Sequence, residues 1–268
     1  MIKLIMSDMD GTLLDENGCL PAEFDEIMAE LKKRHVIFAP TSGRQYFALL
    51  YQFEKYRDDM IFLAENGAYS VYHEAEIFSN TMTAANVKKV LDTAEALESG
   101  GIYPVLCGKK SAYVKSHDQV FLDEMEKYYT QYTFVEDFSD VDDALIKISL
   151  CDAASADAEH TIYPHMRSFE GSLQTVVSAN YWVDIMNMGI NKGVAIRQVQ
   201  RTLGVRPEEC AAFGDYLNDL QMMQAVYYSF AMENAHPDIR AAARFQAKSN
   251  AEHGVMLAIR DFMAQGLI

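Results

Sequence analysis

Cysteine, proline, tryptophan and basic residues are scarce in this sequence, and the shortages exclude whole classes of protein. The four cysteines, Cys19, Cys107, Cys151 and Cys210, lie far apart with no CxxC pair. That removes a zinc ribbon and a disulfide-stapled secreted scaffold, and makes a reducing, cytoplasmic setting the expectation. Lys and Arg number 23 against 39 Asp and Glu, a formal charge of −16. A field of that sign repels phosphate backbones and anionic lipid, so neither a nucleic-acid nor a membrane partner is expected. No apolar run approaches the roughly 18 to 20 residues needed to cross a bilayer. The apolar start at residues 1–6 is cut short by Asp8 and Asp10 before a signal-peptide core can form. The seven histidines show no HxH or HExxH spacing. There is no long Pro, Gly or Ser linker, no low-complexity tract and no internal repeat.

What remains is a globular composition. Half of the 268 residues are apolar and 11% are aromatic, enough for a sizeable core, and the length favours two domains over one. Short apolar runs at residues 2–6, 36–39, 61–64, 210–213 and 227–232 read as buried strands of a parallel sheet. Between the first two, Phe24, Ile27, Met28 and Leu31 repeat at helical spacing after Pro21. A second helix starts near Asn191, with Ile196, Val199 and Leu203 on one face and Gly204 as its stop. The two ends of the chain thus predict one doubly wound α/β sheet, with any ligand at the carboxyl ends of its strands. The middle differs. A helix over 84–98, alternating segments at 111–114 and 145–150, and a helix over 153–166 predict an inserted α+β domain spanning 83–186, with 1–82 and 187–268 as the core.

The chemistry concentrates at the predicted strand ends. Asp8 and Asp10 follow the first strand in Asp8-Met9-Asp10-Gly11-Thr12; two carboxylates held so close require a cation, a shared proton or both. Gly11 allows a sharp turn, and Thr12 offers a hydroxyl. Alone, such a pair is more often a solvated acidic turn. Three later strand ends change that balance: Thr41-Ser42-Gly43-Arg44, Asn191-Lys192-Gly193, and Gly214-Asp215-Tyr216-Leu217-Asn218-Asp219. Each has an ordinary reading as a turn, a solvated lysine or a helix cap. Their joint occurrence in this order places a hydroxyl, an ammonium and a third acidic cluster on one rim.

With these motifs the chain resembles the haloacid dehalogenase superfamily, in particular its Cof-type sugar-phosphate phosphatase branch with a type IIB α/β cap. The resemblance covers the whole length and extends to Met232-Glu233-Asn234-Ala235, Ser249-Asn250 and Gly254-Val255. It implies a Rossmann-like core and Mg²⁺-dependent hydrolysis of small phosphate monoesters, such as sugar phosphates or phosphorylated cofactors, through an aspartyl-phosphate. Asp8 would be the nucleophile, and Asp10 the acid for the leaving alkoxide and then the base for water. Asp8, the main-chain carbonyl of Asp10 and Asp215 would hold Mg²⁺. Lys192 would add positive charge to the nucleophile and phosphoryl group, and Ser42 and Gly43 would bind phosphate. Asn218 would contribute to phosphate binding and, with Asp219 in a supporting role, orient Lys192 and the metal shell. Ser42 stands directly before Gly43 in a spelling that departs from the commoner Ala-Thr-Gly-Arg, which keeps Thr41 open as the alternative hydroxyl. Glu65-Asn66-Gly67-Ala68 is either a rim loop or a plain turn.

Substrate choice is expected from the inserted domain, where Tyr113, Lys115, Asn180, Trp182 and Asp184 are candidates to face the cleft. Trp182 reads better as core packing than as a sugar platform. The fifteen methionines read as core filler. A phosphomutase on the same core is the nearest alternative, and a catalytically silent metabolite-phosphate sensor a more distant one.

Overall fold

The computed structural model describes residues 1–169 and 171–268. The chain forms two compact units: Met1–Gly43, Phe53–Phe78 and Asn191–Ile268 make up the first, and Arg44–Gln52 with Ser79–Ile190 the second.

The first unit is organised by a parallel sheet in the order Phe245–Ala247, Tyr228–Met232, Cys210–Gly214, Leu4–Ser7, Ile37–Pro40. Leu4–Ser7 and Cys210–Gly214 are buried along their full length, which explains why they are apolar runs rather than alternating ones. The helix Phe24–Lys33 buries Phe24, Ile27, Met28 and Leu31, with Asp25 and Glu26 in its first turn and Lys32 and Lys33 in its last, charges that complement its dipole. Phe24 packs edge-on to Phe38 at 5.8 Å. The helix Lys192–Leu203 ends at Gly204, whose φ of +65° supplies the left-handed stop. The run at 61–64 is a buried strand, as expected, and lies parallel to Ile37–Pro40 through the bridges Phe38↔Met60 and Thr41↔Leu63. It differs in also pairing antiparallel with Tyr69–Tyr72, as part of a separate three-stranded sheet.

The second unit carries a six-stranded sheet in the order Leu173–Ala179, Trp182–Asn187, Leu145–Asp152, Ile102–Gly108, Ala112–Val114, Tyr132–Phe134. One face packs Ile148, Leu150, Val183 and Ile185 against Val90 and Ala94 of the helix Ala84–Glu95. The other packs Cys151 and Trp182 against Phe121 and Met125 of the helix Gln119–Met125. The helix expected over 153–166 is instead two short ones, Ala158–Thr161 and Tyr163–Met166. The Asp152 carboxylate accepts from the N–H groups of Ala154, Ser155 and Asp157 at 3.1, 2.9 and 3.2 Å, offering this backbone a loop in place of a helix. The expected helix over 84–98 closes at Glu95. Gln45 explains why Arg44–Gln52 belongs to this unit: its buried side chain donates to the Gln131 carbonyl at 2.8 Å and accepts from the Gln131 N–H at 3.2 Å. No helix among the described residues is long and apolar enough to cross a membrane.

Candidate active site

Parallel register brings the sequence-predicted residues of the first unit to one rim. Ser7 lies opposite Phe213 on one side and Pro40 on the other. The residues that follow each strand, Asp8, Gly214-Asp215 and Thr41-Ser42, therefore emerge together. Backbone bonds fix the exits: the Asp8 N–H donates to the Phe213 carbonyl at 3.0 Å, and the Thr41 N–H to the Ser7 carbonyl at 2.8 Å. The next strand in the sheet, Tyr228–Met232, delivers Asn234 to the same rim.

After Asp8 the chain makes a wide turn over Met9–Leu13, where Gly11 takes φ +77°. A Cβ at Gly11 would collide with the Asp215 carboxylate, so glycine is demanded twice, by backbone conformation and by space. The Thr12 hydroxyl donates to Asp215 Oδ1 at 2.8 Å, joining the turn to the strand end opposite.

Lys192 is the first residue of its helix, and Asn191 caps that helix by accepting from the Val194 N–H at 3.0 Å. A Cβ at Gly193 would strike the Gln221 carbonyl, and its absence lets the helix approach Leu220–Ala225 closely. Lys192 is fully buried. Its Nζ donates to Asp8 Oδ1 and to Asp219 Oδ1, each at 2.5 Å, the short distance of charge-assisted bonds. Asp219 uses its other oxygen to accept from the Asp215 and Tyr216 N–H groups at 3.0 and 3.3 Å. Gly214 leaves room for that carboxylate to fold back. The NKG and GDxxND motifs are thus one device: two glycines permit the approach, and Asp219 locks Lys192 beside Asp8.

Burial dominates the electrostatics. It pushes Asp8 up to about 8 from an ordinary 3.8, against the pull of the Lys192 ammonium, and Asp215 up to about 6, with the Thr12 hydroxyl opposing. Burial works against charge on Lys192 as well, but the carboxylates of Asp219 and Asp8 outweigh it and hold the ammonium above its usual range. One positive group serves Asp8, Asp215 and Asp219, which each offer an oxygen within 4.8 Å of the others. Both Asp219 oxygens are engaged, so Asp8 and Asp215 are the carboxylates suited to a cation. Hard oxygen donors short of positive charge fit Mg²⁺.

The remaining expected residues differ in placement. Asp10 is exposed, and its carboxylate is not part of the acidic trio. Ser42 is buried, its N–H donating to the Leu63 carbonyl at 2.9 Å. The Thr41 hydroxyl turns back to the Ala39 carbonyl at 3.1 Å, which disfavours it as the alternative donor. Asn218, expected beside Lys192, donates to Asn66 Oδ1 at 3.3 Å, because neighbours in the tight turn Leu217–Asp219 point in different directions. Gly43 faces the same Asn66 side chain. The Glu65–Gly67 turn is therefore a rim element as well as a turn. In the second unit, Trp182 packs in the core and donates its Nε1–H to Glu124 at 3.1 Å. Tyr113 donates to Asp143 at 3.1 Å, Lys115 lies over the Phe138 ring at 5.5 Å, Asp184 is buried and Asn180 exposed.

Asn234 and Asn250 had no role assigned from the sequence. Asn234 donates to the Gly11 carbonyl at 2.8 Å and accepts from the Asn250 N–H at 3.2 Å, while Asn250 donates to the Leu14 carbonyl at 2.9 Å. Together they latch the turn that carries Asp10. The motif resemblance marked these positions, but only the contacts explain them.

Comparisons with known proteins follow the same lines. Residues 5–259 match the family model of the haloacid dehalogenase-like hydrolases. The chain is 30% identical over 259 residues to 5-amino-6-(5-phospho-D-ribitylamino)uracil phosphatase YbjI of Escherichia coli, covering 95% of this chain and 94% of that protein. The crystal structure of SMU.1108c from Streptococcus mutans superposes with a TM-score of 0.84 at 26% identity, over 98% of this chain and 100% of that one. The HAD subclass IIB sugar phosphatase BT4131 shares the fold, with a TM-score of 0.77 at 20% identity over 99% of this chain and 100% of that one. The chain belongs to the haloacid dehalogenase-like hydrolase family, in its Cof-type branch, and is an enzyme of the phosphatase class.

Proposed function

We propose that this enzyme hydrolyses small phosphate monoesters through an aspartyl-phosphate on Asp8, with Mg²⁺ held by Asp8, the main-chain carbonyl of Asp10 and Asp215. The observation that carries the reading is the position of Asp8 at a parallel strand end, with one oxygen fixed on Lys192 and Asp215 within reach of the same point.

The Asp8 oxygen not bound to Lys192 forms the new bond to phosphorus. The phosphorus–oxygen bond to the leaving group breaks, its electron pair departing with the alkoxide, and Asp10 supplies the proton. In the second half, Asp10 takes a proton from water as that water attacks phosphorus and releases Asp8 and inorganic phosphate. Lys192 keeps Asp8 oriented and offsets charge on the transferring group, and Ser42 donates to a phosphoryl oxygen. Asp219 acts through Lys192 as a positioning residue. Mg²⁺, when bound, favours the ionised carboxylates and screens the approach of an anionic nucleophile to a phosphate dianion. Asn234 and Asn250 hold the turn on which Asp10 must meet the leaving oxygen.

We further read residues 83–186 as the cap that selects the substrate. The substrate class is a small sugar or polyol phosphate or a phosphorylated cofactor precursor, and the name of the relative YbjI makes 5-amino-6-(5-phospho-D-ribitylamino)uracil the first compound to try. The test is phosphate release from p-nitrophenyl phosphate with and without Mg²⁺, comparing wild type with Asp8→Asn. Mg²⁺-dependent release that vanishes in the variant is expected. Release that persists in Asp8→Asn refutes the covalent route.

A further inference from the structure

The hydroxyl of Ser42 has to meet a phosphoryl oxygen, yet the residue stands beyond the end of its strand, Ile37–Pro40, and directly before a glycine. Its main chain is held from the neighbouring segment. The Ser42 N–H donates to the Leu63 carbonyl at 2.9 Å, and the Ser42 carbonyl accepts from the Asn66 N–H at 3.0 Å. The second bond follows from a tight reversal after Ile61–Ala64. Glu65 and Asn66 both take a φ of +52° there, although Glu65 is buried.

A left-handed backbone is costly for residues other than glycine, because Cβ crowds the following carbonyl. Such conformations persist where the surroundings over-determine them, and they collect at functional sites. Here the surroundings are three of the motifs already described, all within the first unit. A Cβ on Gly43 would lie 2.9 Å from Asn66 Nδ2, and one on Gly67 would lie 2.5 Å from the carbonyl oxygen of Asn191, the cap of the Lys192 helix. Asn66 Oδ1 accepts from Asn218 Nδ2 at 3.3 Å. One turn therefore touches the Ser42-Gly43 segment, the helix that carries Lys192 and the turn Leu217–Asp219. Asparagine suits its centre, since it tolerates the left-handed region and its amide both donates and accepts.

We propose that Asn66 is a positioning residue for phosphate binding: it fixes the Ser42-Gly43 segment against Asn218, so that the Ser42 hydroxyl and Asp8 address the same phosphoryl group. The proposal rests on the phosphatase reading above and extends it to a residue outside the strand-end motifs. Asn66 moves no proton and forms no bond to phosphorus; it acts through Ser42.

The experiment is a double-mutant cycle on kcat and KM for p-nitrophenyl phosphate with Mg²⁺, using Asn66→Gly, Ser42→Ala and the two combined. Glycine keeps the left-handed backbone and the N–H that Ser42 accepts, so only the side chain is lost. Asn66→Gly should lower kcat/KM about 10-fold, the size of one lost hydrogen bond, and should divide that loss between kcat and KM as Ser42→Ala does. In the Ser42→Ala background the same change should cost less than about 2-fold, because no hydroxyl is left to misplace. Equal losses in the two backgrounds, or none in either, overturn the proposal. Asn66→Ala enters the same cycle with the same deciding outcomes, so that one poorly folded protein does not settle the matter. If the wild type releases no phosphate from any ester, the phosphatase reading has failed separately. Calorimetry with inorganic phosphate and Mg²⁺ on the same proteins then decides: weaker binding in Asn66→Gly that disappears in the Ser42→Ala background supports the proposal, and additive weakening or no binding by the wild type overturns it.

Discussion

Removing divalent metal should make the stability of this protein fall as pH rises from about 4 to 6, and Asp215 sets the size of the effect. Burial lifts its carboxyl from 3.8 to about 6 in the folded protein. A carboxyl with a raised folded-state value favours folding in its protonated form. That contribution is fully present below the unfolded value near 4 and is lost as pH rises through about 6. At about 1.4 kcal/mol for each pH unit between the two values, the loss is about 3 kcal/mol. Asp8 shifts the same way for the same reason, extending the decline towards neutral pH. Mg²⁺ should reverse it, because a cation between Asp8 and Asp215 favours the ionised forms. The assay is urea denaturation in chelator from pH 4.5 to 7.5, repeated with excess Mg²⁺, for wild type and Asp215→Asn. The difference between the two proteins reports Asp215 together with its effect on neighbouring Asp8, whose carboxyl the Asp215 charge also raises. If metal-free wild type and Asp215→Asn show parallel pH profiles, the electrostatic account of the acidic rim is wrong.

Other expectations follow from single contacts. Asp219→Ala removes the acceptor of one charge-assisted and two backbone hydrogen bonds and should cost about 3 to 5 kcal/mol, read as a lowered denaturation midpoint, with turnover clearly reduced but by no more than in Lys192→Met. A variant that keeps wild-type turnover would show that Asp219 does not position Lys192. Gly193→Ala places a methyl against the Gln221 carbonyl. It should lower kcat by roughly 100-fold by displacing Lys192, with circular dichroism near native. Asn234→Ala breaks the latch on Gly11; stability should change by only about 1 kcal/mol, while single-turnover kinetics slow in the step that needs Asp10. Trp182→Phe removes the donor that meets Glu124 Oε1 in the core, leaving that carboxylate with Lys127 on its other oxygen, and should cost about 1 to 3 kcal/mol without altering the pH profile of turnover.

Much of this molecule was legible in the sequence because the information is local. An amphipathic helix announces itself by spacing, as at Phe24, Ile27, Met28 and Leu31, and a strand buried on both faces by an unbroken apolar run, as at Leu4–Ser7. The strand-end motifs were equally readable, because a parallel sheet places consecutive strand exits on one rim whatever the details of the loops. What the sequence could not decide depends on side-chain direction and on contacts between distant segments. It paired Asn218 and Asp219 as supports for Lys192, while only the tight turn separates them, sending Asp219 to Lys192 and Asn218 to Asn66. Periodicity over 153–166 favoured one helix, and the Asp152 carboxylate broke it by satisfying the same N–H groups in a loop. No local pattern couples Gln45 to Gln131 or Asn234 to Gly11. Lys147 and Asp184 are separated by 37 positions, and nothing but the register of two antiparallel strands could put opposite charges side by side beneath the surface.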